Sequence, residues 1–90
     1  MESEILSQNQ HIQRSVNHTQ KAVDWLINNE FTILSVYAEG FRPIIWIQNE
    51  TRCSELNGGM MVSRSTPIGP ETIMAAIVNE CQVQWVIRGH

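Results

Sequence analysis

Gly69-Pro70-Glu71-Thr72-Ile73-Met74-Ala75-Ala76-Ile77-Val78-Asn79-Glu80 is the stretch on which the architecture of this chain turns. Proline is at home in the first turn of a helix, where its missing N–H has no partner to lose, and an acid such as Glu71 suits the positive end of the helix dipole. The stretch is therefore expected to be a helix over residues 70–80. Its apolar run, Ile73 to Val78, is wider than the single stripe that a helix with one wet side needs. The surplus has to be covered, either within the chain or by a partner.

Working outward, Val83, Trp85 and Ile87 alternate with more polar residues and predict a last strand over 82–88. On the other side, Ser65-Thr66-Pro67 ends a strand expected at Met60 to Arg64. Before it, Asn49 to Gly59 is polar and closes on Asn57-Gly58-Gly59, the composition of a loop. Phe31 to Ala38 is rich in β-branched and aromatic residues, Glu39-Gly40 is a turn signal, and Arg42 to Gln48 resumes an apolar run, so a hairpin is expected here. Pro43 cannot donate to a ladder and belongs at a strand entrance or on an outer edge. Ile44-Ile45-Trp46-Ile47 puts apolar side chains on both faces of its strand, which calls for cover on both sides of the sheet.

The N-terminal third has helical spacing: Ile5, Ile12, Val16, Thr19, Val23 and Leu26 follow steps of three, four or seven. Ser3 or Ser7 is a candidate cap and Asn28-Asn29 a stop. The same positions, with Asn9 and Thr19 as polar interruptions, fit a short heptad seam that could pair with its own copy, but packing on the chain's own sheet is the expected arrangement. The fold class that results is α+β: one small domain over residues 1–90, in the order α-β-β-β-α-β. It comprises an N-terminal helix over 1–29, a three-stranded region over 31–64, a helix over 70–80 and a strand over 82–88. Two helices pack an antiparallel sheet of about four strands.

Ninety residues with 42% apolar and 17% charged side chains is the balance of a globular domain, and the net charge is −3 with a single lysine, Lys21. Residues 1–30 carry four acids and two bases, and residues 31–90 carry five and four, so no charged tail stands out. Broad affinity for nucleic acid depends on Lys and Arg neutralising phosphates, and an acidic chain is poorly equipped for it. The start, Met1-Glu2-Ser3-Glu4, lacks the basic and apolar regions of a secretory signal, and no apolar run reaches the ~18 residues of a membrane helix. A cytoplasmic protein with no membrane contact is expected. Asn17-His18-Thr19 and Asn49-Glu50-Thr51 fit the glycosylation pattern but carry little weight without such a signal.

Chemistry-bearing residues are few. Cys53 and Cys81 are 28 positions apart without CxxC spacing, and free thiols are expected. Cys53, next to Arg52, is a candidate nucleophile with no base implied nearby, and Cys81 a packed thiol. His11 and His18, seven apart, project from a similar helix face but lack the i, i+4 spacing of a metal pair. No catalytic residue, metal site or cofactor is expected. Trp25, Trp46 and Trp85 are candidate interaction residues, with Arg42, Arg64 and Arg88 beside them. The expected function is that of a non-enzymatic interaction or accessory protein, of the inhibitory or regulatory kind carried by phages and other mobile elements, acting on another protein and forming a homodimer. The alternative is a single-stranded nucleic-acid module that stacks bases on Trp46 between Arg42, Arg64 and Arg88.

Overall fold

A computed structural model of the chain describes residues 2–38 and 42–89, with side chains from residue 8 onward. A long helix, α1 (Glu2–Asn28), is followed by strands β1 (Ile33–Tyr37) and β2 (Ile44–Ile47) and a short 3-10 helix (Thr51–Leu56). The chain then makes three consecutive strands, β3 (Gly59–Thr66), β4 (Gly69–Val78) and β5 (Cys81–Arg88). The five strands form one sheet in the order β1-β2-β5-β4-β3. All neighbours are antiparallel except β2 and β5, which run parallel with Ile45 opposite Val83. The fold is α+β, but the sheet is mixed and five-stranded. The turn expected at Glu39-Gly40 lies outside the described residues.

The main correction concerns 70–80, where a helix is expected: residues 70–78 belong to strand β4 and Asn79-Glu80 to the turn after it. Pro70 pairs opposite Ser65 at the entrance of a hairpin, so its missing N–H suits a strand end as well as it suits a helix start. At the other end, Asn79 and Glu80 both have left-handed backbones, φ 47° and 65°, between the paired Val78 and Cys81. Two residues with positive φ in a two-residue loop make the turn whose twist matches a hairpin, and asparagine is among the residues that adopt it most readily. An unbroken apolar run has no period, so tertiary pairing decides its conformation.

That turn yields a first prediction. Asn79→Val places a β-branched side chain in a left-handed backbone and is expected to destabilise the protein by about 1–2 kcal/mol. Urea denaturation reads it. In a helix the same exposed change would cost only a few tenths of that, so an effect below about 0.5 kcal/mol would contradict the hairpin.

Helix α1 ends where Asn28-Asn29 suggested. The N–H of Phe31 donates to the Leu26 carbonyl at 2.9 Å and that of Glu30 to Ile27 at 3.0 Å, with Glu30 left-handed at φ 65°. This is the Schellman arrangement, and its usual apolar clasp is present as Trp25 stacked on Phe31 at 6.1 Å. Ala22 and Leu26 are fully buried against Ile45, Ile47, Cys81, Val83 and Trp85, so the C-terminal half of the helix packs on its own sheet. The other half extends beyond it. From Gln8 to Arg14 every side chain is exposed, and Ile12 and Val16 of the apolar seam are 51% and 54% exposed.

The 3-10 helix lies on the same side as α1, with Cys53 in the core. Gly58 just after it is demanded by close approach: a Cβ there would lie 2.5 Å from the Trp85 ring and 2.9 Å from the Ala75 carbonyl oxygen. A loop reading of Asn57-Gly58-Gly59 holds for its first two residues, and the glycine is what lets that loop lie flat on the indole.

Candidate functional site: the uncovered sheet face

Pairing register sorts the strand residues into two faces, because directly opposed residues point the same way and neighbours along a strand alternate. Ile45, Ile47, Val83, Trp85, Met74 and Ala76 share the face under α1. The opposite face is built in rows. Tyr37, Ile44, Gln82 and Ile77 form one, followed by Ser35, Trp46, Gln84 and Ala75. Val86, Ile73 and Val62 form the third, and Arg88, Glu71 and Arg64 the last.

Among the described residues no helix lies across these rows, since the two helical elements both contribute to the core on the other side. The segment expected to supply a second helix is itself the strand β4, and its conversion exposes this face. Both-sided apolarity of Ile44 to Ile47 now has its explanation. Ile45 and Ile47 are buried beneath α1, whereas Ile44 and Trp46 are half-buried on the uncovered side. Strands in parallel pairs are normally covered on both faces, and β2 and β5 form such a pair with only one face covered.

The face is mainly apolar with an ordered polar centre. Val62 and Ile77 are 42% and 55% exposed, Met61 is 45% exposed, and a shallow apolar hollow runs between Met61, Ala75 and Ile77. Gln82 donates through Nε2 to the Oε1 of the almost fully buried Gln84 at 2.6 Å and contacts the Met61 sulfur at 3.2 Å. Gln84 thus enters the face with its carbonyl oxygen already hydrogen-bonded, which lowers the cost of covering it.

At the end of the face Glu71, 6% exposed, accepts from Arg64 Nε at 2.9 Å and also from Nη2, and lies 3.4 Å from Arg88 Nε. The Arg64 hydrogen bonds hold its carboxyl below the usual carboxylate value against the opposing effect of burial, with Arg88 assisting. A carboxyl whose folded-state value is lowered adds stability that is fully present above its unfolded value, near 4.3, and lost as pH falls through the folded value. Glu71→Gln is therefore expected to lower the melting temperature at pH 7, with the difference closing as the pH is taken below the carboxylate range. A thermal-melt series across pH checks this, and a gap that stays constant with pH would contradict it.

Of the six candidate interaction residues, the fold brings Trp46, Arg64 and Arg88 onto this face. Trp85, 2% exposed, belongs to the core, and Trp25, 39% exposed, flanks it as the partner of Phe31. Arg42 precedes β2 next to Pro43, whose carbonyl accepts from Gln82, so it sits at the opposite end of the sheet from Arg88. Both cysteines are free and buried. Burial raises the thiol of each, and Cys53 donates to the Gln48 carbonyl at 3.6 Å, so neither is set up as a thiolate nucleophile. No cluster of metal-ligating side chains occurs among the described residues, and no described helix is long and apolar enough to cross a membrane.

Sequence reasoning missed Glu71, Gln82 and Gln84 as members of the site. The alternation of Val83, Trp85 and Ile87 implied that Gln82 and Gln84 point the other way. Glu71 was hidden by the expectation of a helix. Searches against protein-family models, curated proteins and solved structures find no match to this chain.

Proposed function

We propose that this chain is a non-enzymatic interaction protein that works by seating its uncovered sheet face on another protein, the first occupant being a second copy of itself. The observation that carries this reading is the run of apolar side chains Ile44, Trp46, Val62, Ala75, Ile77 and Val86, exposed or half-buried around the buried Ile73, on a sheet face with no second layer among the described residues. Exposed apolar patches of this continuity mark interaction surfaces. Five strands at ~4.8 Å spacing and four rows make a face on the order of 500 Å² in projection. That approaches the scale of a standard footprint of ~800 Å² per partner. Two such faces stacked across a twofold axis would pack as the layers of a β-sandwich do, ~10 Å apart. A regulatory or inhibitory protein needs nothing more than such a surface, and an accessory role of the mobile-element kind fits a small chain with little chemistry of its own.

The nucleic-acid alternative draws less support. Arg64 and Arg88 share Glu71, so that row carries a net charge of only about +1, and Arg42 is too far along the sheet to join them around Trp46. Sedimentation velocity over a wide concentration range tests the main reading. A shift from one copy to two with rising concentration, insensitive to salt, is the expected result. A single copy at every concentration would remove the second copy as occupant.

A further inference from the structure

Three of the six basic residues of this acidic chain are already engaged by acids. Arg52 lies 3.7 Å from Glu30 and also donates to the Asn29 carbonyl, while Arg64 and Arg88 hold Glu71. Among the described residues the remaining three, Arg14, Lys21 and Arg42, make no ion pair. They are not scattered. Arg14 and Arg42 both line a cleft of about 520 Å³ between α1 and the end of the sheet. Lys21 lines an adjoining hollow of about 500 Å³ that shares Arg14 and His18 with the first.

We infer that this corner cleft is a binding site for a phosphomonoester, its phosphate held between Arg14 and Arg42 and its organic part resting on Pro43 and Ile77. Helical spacing produces the donor wall: His11, Arg14, Ser15 and His18 fall at i, i+3, i+4 and i+7 and line the cleft together. The wall opposite comes from the entrance of β2 and the turn after β4. Its single acid among the described residues, Glu80, is held by His18 at 3.1 Å, and the two guanidinium groups outnumber it. Two guanidiniums and flanking imidazoles present many donors and few acceptors, the composition that suits three phosphate oxygens and about two negative charges. Buried Pro43 and exposed Ile77 give the cleft an apolar floor. A volume of this size is that of a small-molecule site. The phosphate contacts do not depend on the occupant of the sheet face, since the cationic groups lie on α1 and ahead of β2, although Ile77 borders both surfaces.

The test is a titration of the full chain with phenyl phosphate at low salt, followed by amide and side-chain NMR shifts. Saturable shifts at His11, Arg14, His18 and Arg42 are expected, with weaker binding of inorganic phosphate, which lacks the ring. Arg14→Gln and Arg42→Gln, each checked for an intact spectrum, are expected to weaken binding about tenfold, the loss of one charge-assisted contact. Arg64→Gln, far along the sheet, is expected to leave it unchanged. Absence of saturable shifts, indifference to both cleft substitutions, or an equal loss in Arg64→Gln would overturn the site. Equal affinity for inorganic phosphate would overturn the role of Pro43 and Ile77.

Discussion

Replacing Trp85 by alanine is expected to lower the free energy of unfolding by about 3–5 kcal/mol, the range for emptying a buried aromatic site. The indole is 2% exposed on the core face of β5, directly opposite Met74 of β4, and packs with the layer formed by α1 and the 3-10 helix. Gly58 lies against its ring so closely that a Cβ has no room, so the indole supports the loop as well as the sheet. Deleting it leaves a cavity bordered by backbone, which cannot collapse to fill the space. For a domain with ~5–15 kcal/mol in total, this removes a large share of the stability and brings a chain at the low end of that range to the edge of unfolding at room temperature. Trp46→Ala, on the uncovered face and half-buried, is expected to cost about 1 kcal/mol at low protein concentration. Urea midpoints for the two variants separate core from surface. Equal losses would mean that the two tryptophans do not differ in role.

The contrast between these tryptophans also marks what the sequence made legible. Helix α1 was readable because its apolar residues recur at helical steps over several turns, and its end was readable from Asn28-Asn29. The strands β1, β2, β3 and β5 were readable as runs bounded by turn residues, to within a few positions at their ends. Strand β4 was not, because Ile73 to Val78 carries apolar side chains on both faces and so lacks the alternation that identifies a half-covered strand. The Asn79-Glu80 pair between two apolar segments is the signal that the reading from Pro70 and Glu71 left unused. Parallel pairing of β2 with β5 depends on contacts between residues 44–46 and 82–84, a separation that no local pattern encodes. The site follows the same division. Parity along a strand placed Trp46 on a shared face, whereas the distance of Arg42 from Arg88 depended on how non-neighbouring strands align.

Val62→Asp is expected to leave the fold intact and to weaken self-association at least 100-fold. Val62 is 42% exposed, so its replacement does not empty the core, and it pairs with Ile73 in the row that continues to Val86. In the single copy the new carboxylate stays in water. In a face-to-face dimer it would be buried against apolar side chains without a partner, a penalty of several kcal/mol, and every 1.4 kcal/mol is tenfold in affinity. Twofold symmetry doubles the effect, because each substitution enters the interface twice. The decisive control is Ile12→Asp. Ile12 and Val16 continue the seam of α1 beyond the sheet, and two copies could meet there as paired helices instead. Sedimentation of both variants distinguishes the two surfaces. Dissociation by Val62→Asp with Ile12→Asp still dimeric places the contact on the sheet, where the row of Val86, Ile73 and Val62 would form its dry centre and the Arg64–Glu71–Arg88 row its polar rim. The reverse pattern would move the contact to the projecting helix and leave the sheet face open to a different protein.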